Sequence, residues 1–135
     1  MRHLLLAIIL STAALLSAAA VEERVGIDPV LRGLWRLHVS STDGGTTLVP
    51  HDPPVDLAVV TATTMNMGAA GRYTFERVLI VHGDDGNPGN MVLLDTGRWL
   101  AITKTPDQEF VLVQVYEIVG DVATEHNRWV VTVHQ

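Results

Sequence analysis

The chain has 135 residues, 47% of them hydrophobic, with a formal net charge of −6 and no cysteine. This composition fits one folded domain behind an apolar leader, and it excludes disulfide stapling, thiol catalysis and lipid attachment through a cysteine. The acids are spread along the chain rather than blocked, and their excess opposes long-range attraction to nucleic acid or an anionic membrane.

Arg2 and His3 make a short polar start, residues 4–16 are an apolar run, and Ser17-Ala18-Ala19-Ala20 supplies the small residues that a signal peptidase needs. Residues 1–20 are therefore expected to be a secretory signal, cut after Ala19 or Ala20, which places the protein in the periplasm or outside the cell. The alternative is a retained N-terminal membrane anchor, because residues 4–21 are just long enough to span a bilayer. Glu22 and Glu23 follow at once and favour removal, which would leave no stable membrane anchor. Residues 21–30 then read as a lead-in, polar and loose over 22–28, and residues 31–135 as a single domain.

Asp28-Pro29 suits the start of one helical turn, since Asp accepts free amides and Pro fits the first turn. Residues 34–41 alternate, with Trp35, Leu37 and Val39 on one face, which is the period of a half-buried strand. Asp43-Gly44-Gly45 turns the chain, and 46–49 is a short strand or loop edge. The prolines of 50–54 predict a bend or an edge segment, and 55–64 the next strand. Residues 65–71 read as a crossing, a bulged strand or a lid. The clearest strand is 72–82, with Tyr73, Phe75, Arg77, Leu79 and Val81 expected on one face.

Residues 83–90 are turn material whose acids and asparagines raise calcium, but the spacing departs from the EF-hand pattern and favours a plain hairpin loop. Strands over 91–95 and 98–104 close around Thr96-Gly97, 110–119 is a long apolar strand, and 122–134 completes the chain as one arm or two. The expected fold is thus all-β: an antiparallel meander of seven or eight strands that closes into a barrel, with a two-sheet sandwich as the alternative.

Chemistry is sparsely signposted. His38, His51, His82, His126 and His134 match no short metal motif, and Ser40 and Ser41 sit in no nucleophile elbow. Carboxylate pairs among Glu76, Asp95 and Glu117 are what any acidic β protein offers. There is no dinucleotide fingerprint and no phosphate-binding glycine loop, so no cofactor, metal site or catalytic residue is expected. The reading that remains is a non-enzymatic domain holding a small hydrophobic molecule or a protein partner, with no nucleic acid. Trp35, Tyr73, Phe75, Phe110 and Tyr116 are the candidate ligand-binding residues, while Met65 and Met67 suit either a mouth or a core. The alternatives are a structural or interaction domain with a filled core and, last, a metal-dependent or carboxylate-based enzyme. Oligomeric state is not legible.

The pattern Leu31-x-Gly33-x-Trp35-x-Leu37, preceded by Asp28-Pro29, resembles the opening of lipocalin-like domains. The resemblance implies that Gly33 and Trp35 start the first barrel strand with the indole packed at a closed end, and that Arg128, near the last strand, lies across Trp35. Thr105-Pro106-Asp107 loosely resembles a later turn of that family, with a proline inserted. The chain is shorter than a full lipocalin and has neither its cysteines nor a clear C-terminal helix.

Overall fold

The computed structural model describes residues 20–82 and 88–135. The export-signal reading of 1–20 therefore lies outside the described residues, Ala20 apart, as does most of the calcium reading of 83–90. Nine strands are present among the described residues: β1 (Ala20–Arg24), β2 (Gly33–Ser41), β3 (Val49–Val60), β4 (Thr64–Asn66), β5 (Arg72–His82), β6 (Gly89–Leu94), β7 (Trp99–Lys104), β8 (Val111–Val119) and β9 (Val122–His134). All pair antiparallel in one sheet, in the order β1-β5-β4-β3-β2-β9-β8-β7-β6, and β6 pairs back onto β5 so that the sheet curls into a ring. The all-β antiparallel reading holds, with one sheet instead of the two of a sandwich and more strands than the meander of seven or eight. Among the described residues no helix is long and apolar enough to cross a membrane.

Two of the additional pairings come from segments whose composition hides them. Residues 22–24, expected to be loose, belong to β1 because Val21–Arg24 line up against Val78–Val81 of β5, and Glu23 reaches Arg77 at 3.0 Å. β6 and β1 thus flank the same stretch of β5 on both sides. The proline-rich stretch is strand rather than bend: Val39 pairs with Pro50 and Leu37 with Val55, so residues 51–54 bulge out of β3 opposite His38. β4 reaches only Val59 and Val60, so the donors that the prolines lack are missed by no ladder on that side. β3 ends at Val60, not at 64, because Thr61 and Thr64 close a turn through the Thr61 amide and paired hydroxyls.

The ring is sealed beside β2 by a 3-10 turn, Pro29–Leu31. The Asp28 carboxylate accepts the Val30 amide, as the Asp-Pro pair predicts. The turn places Ile27 and Leu31, with 0% and 3% exposure, in the main core. Trp35 lies wholly buried beneath it and donates its indole Nε1–H to the Leu31 carbonyl at 2.7 Å.

Two apolar clusters lie on opposite faces of the sheet. The inner one joins Trp35, Phe75, Val78, Ile80, Leu100, Val113 and Val131, and the outer one joins Leu79, Val81, Met91, Trp99, Ala101 and Tyr116. The expected single face for Phe75, Leu79 and Val81 is therefore corrected. A register shift between Phe75 and Arg77 inserts an extra residue, so Phe75 stays inward while Leu79 and Val81 turn outward and Val78 and Ile80 take their place. The strand 72–82 has the expected bounds but its alternation breaks in the middle.

Candidate functional site

Of the five aromatic side chains expected to hold a ligand, one lines either of two clefts formed by the described residues. Trp35 is core, and so is Phe75 at 7% exposure. Phe110 stands outside the main cluster with its ring edge-on to His38, centroids 5.2 Å apart. Tyr116 belongs to the outer cluster. Tyr73 faces an open cleft of about 310 Å³ whose lining includes none of the other four.

Local chemistry explains why this cleft forms. β4 is only three residues long, and its central residue, Met65, sits opposite Tyr73 of β5. Met67 then leads into a 3-10 turn, Gly68–Ala70, which ends at Gly71 with φ +119°. A Cβ at Gly71 would meet the Tyr73 hydroxyl at 2.8 Å, so glycine lets the turn fold onto the ring, and that hydroxyl donates to the Ala70 carbonyl at 2.8 Å. Met65, Met67 and Tyr73 form one wall in this way. Leu94 and the hairpin at Thr96-Gly97 form a second, closed by the Leu94 amide on the Arg98 carbonyl at 2.8 Å. Val115, Asn127 and Trp129 complete the lining where an extra residue in β9 shifts its register against β8 between Val115 and Tyr116.

Most of this surface is apolar or sulfur-bearing, and it lacks any carboxylate. Four polar side chains stand in it: the Tyr73 hydroxyl donates to Ala70 and the Thr96 hydroxyl accepts the Arg98 amide, whereas the Arg98 guanidinium and the Asn127 amide meet no other described residue through a side-chain hydrogen bond or ion pair. Met65 and Met67, expected at a mouth or in a core, do both: Met65 is 1% exposed in the inner cluster and still contributes to the cleft wall. Leu94 and Val115 follow the inward alternation of Val92 and of Val111 and Val113, whereas alternation could not reveal Asn127, which lies beside an extra residue in β9.

Arg128 does not lie across Trp35. The β9 partner of Trp35 is Val133, whereas Arg128 pairs with Ser41 at the far end of β2. Arg128 and Val133 are five positions apart along the strand, about 17 Å. Arg128 instead grips Glu125 with Nε and Nη2, both at 2.8 Å, and Glu125 accepts the Gln114 amide at 3.1 Å. Gly45 passes directly over this guanidinium; a Cβ there would come within 2.5 Å of Arg128 Cζ.

Tyr116 abuts this polar group, and burial first, with the Glu125 charge second, pushes its phenol up to about 12 from 10.0. The folded state therefore holds this proton where the unfolded state has lost it. The associated stability is complete below pH 10 and is lost as pH rises through about 12. Phenolate absorbance should accordingly show a late alkaline step that Tyr116→Phe removes. A Tyr116→Phe titration identical to that of the parent chain would contradict the placement.

The histidines form pairs rather than a cluster. His38 and His134 share the Thr132 hydroxyl at 2.9 and 3.0 Å, His51 meets Ser40 at 2.8 Å, His82 stands 3.5 Å from Glu22, and His126 stands 3.6 Å from Glu117. Among the described residues no three potential ligands stand close enough to hold a metal ion. A second cleft of about 250 Å³ opens beside the Pro29–Leu31 turn, between Asp28 and Lys104. Its Asp28 carboxylate is already committed to the turn. Compared with protein-family models, curated proteins and solved structures, the chain matches none.

Proposed function

We propose that this protein is an exported, non-enzymatic small β-barrel of lipocalin-like form that takes a small hydrophobic molecule into the Met65–Tyr73–Trp129 cleft. The observation that carries this reading is the cleft wall itself: Met65, Met67, Tyr73, Leu94, Val115 and Trp129 surround about 310 Å³, at the lower end of small-molecule pockets. Methionine adapts to varied shapes, and two of them beside two aromatic rings suit an apolar guest. Export is supported by the sequence of residues 1–20, and the net charge of −6 weighs against nucleic acid as a partner.

The test is titration of the full-length chain with the neutral apolar fluorophore N-phenyl-1-naphthylamine. Binding should raise the fluorophore's emission and quench Trp129. Trp129→Ala should weaken it by about tenfold, the scale of losing one buried aromatic contact. Absence of saturable binding by the parent chain would sink the reading.

A second reading has its own support. The interior of the ring is filled, with Trp35, Val92, Leu100, Val113 and Val131 all at 0% exposure, so only the rim is open. If the fluorophore is not bound, the domain is an interaction module with a solid core.

A further inference from the structure

We infer that the guest of this cleft carries a single anionic group, held by Arg98, on an apolar body; this rests on the cleft reading and goes beyond it in naming the ligand's charge. The first support is the disposition of the arginines. Arg24 meets Glu22, Arg36 meets Asp56, Arg77 meets Glu23 and Arg128 meets Glu125, while Arg32 is held by the Ile27 carbonyl. Arg72 and Arg98 have no such partner among the described residues, but Arg72 is exposed, whereas Arg98 is partly buried and stands against an apolar wall. A guanidinium removed from part of its water without a counter-charge is an unfavourable arrangement that an incoming anion relieves.

The second support is what surrounds it. The lining holds one cation and no acid, in a chain whose overall charge is −6, so the cleft is a local exception to the field of the molecule. Asn127, on the facing strand, offers two further N–H donors that no described side chain engages. A planar fork and an amide suit one carboxylate or sulfonate, with the remainder of the guest against Met65, Tyr73 and Trp129. A polyphosphate would bring more charge than one arginine can balance in a chain whose net charge is −6. The guest is therefore a small amphipathic monoanion.

The experiment uses the full-length chain and two probes that share a skeleton: neutral N-phenyl-1-naphthylamine and anionic 1-anilinonaphthalene-8-sulfonate. The two should compete for one site. In Arg98→Gln the ratio of anionic to neutral affinity should fall about tenfold, the scale of a lost charge-assisted hydrogen bond. Arg98→Lys should recover part of that ratio. Arg72→Gln, which removes another arginine but not one lining the cleft, should leave the ratio unchanged. Salt should weaken the anionic probe selectively in the parent chain and not in Arg98→Gln. An unchanged ratio in Arg98→Gln, with both probes still bound, overturns the anion assignment while the cleft reading stands. Failure of both probes to bind the parent chain removes the cleft reading and this inference together. Far-UV circular dichroism of each variant confirms that the comparison is between folded proteins.

Discussion

Trp35→Ala is expected to cost about 3–5 kcal/mol of folding stability, the range for truncating a fully buried aromatic side chain. Trp35 has 0% exposure and packs within the inner cluster beside Ile27 and Leu31. Its removal forfeits the transfer free energy of the indole and leaves a cavity that a ring of hydrogen-bonded strands can collapse only partly. It also deprives the Leu31 carbonyl of the Nε1–H donor that meets it at 2.7 Å. Trp35→Phe separates the two effects. The ring is largely kept and the carbonyl loses its donor, so the expected cost is about 1–3 kcal/mol. Urea denaturation followed by far-UV circular dichroism measures both. A loss below about 1 kcal/mol for Trp35→Ala would show that the turn over Pro29–Leu31 does not seal this end.

The same measurement decides between two accounts of Arg128. If the guanidinium covered the indole, Trp35→Ala and Arg128→Ala would be strongly coupled. Arg128 is instead bound to Glu125 opposite Ser41, while Trp35 pairs with Val133. The double variant should therefore show additive losses, to within about 0.5 kcal/mol. A larger coupling energy would restore the stacking that the family resemblance implies.

The extent to which the fold was legible follows from what the period of a strand can encode. Arg72–His82, the hairpin at Thr96-Gly97 and the Asp28-Pro29 turn are local features, each written in a few adjacent residues, and each is present in the structure. The faces of β5 were not legible, because a bulge depends on the partner strand: the shift between Phe75 and Arg77 exists only in the pairing with β6. β1 was hidden for a similar reason. Val-Glu-Glu-Arg has little strand character by itself and gains it from the edge of β5 and from the Glu23–Arg77 ion pair. The cleft compounds both effects. Its walls come from β4, β5, β6, β8 and β9, and an extra residue in β9, His126, interrupts the register where Asn127 stands opposite Val115. Composition could therefore suggest an apolar guest without identifying its contacts, and of the five aromatic candidates Tyr73 lines this cleft while Trp35, Phe75, Phe110 and Tyr116 do not.

Gly33→Ala is the second large effect, expected at about 2–4 kcal/mol. Gly33 has φ +134°, a region that L side chains rarely adopt, and a Cβ there would run into the His134 carbonyl oxygen and lie 3.2 Å from Gln135 Cα. Both obstacles are backbone, so no rotamer change relieves them; β9 would have to draw away from β2. That pairing includes Trp35 with Val133, so the strain would reach the buried indole. Gly97→Ala is the matched control. Its φ is +88°, yet nothing lies within 4 Å of the added Cβ, so only the conformational cost of about 1 kcal/mol applies. The difference between the two variants therefore isolates the close approach of the chain's last strand to its Gly-x-Trp opening. Equal losses at the two glycines would mean that β9 is free to yield, and that Gly33 is needed for its backbone angle alone. A larger loss at Gly33 would mean that the glycine is there so that β9 can close against the strand carrying Trp35.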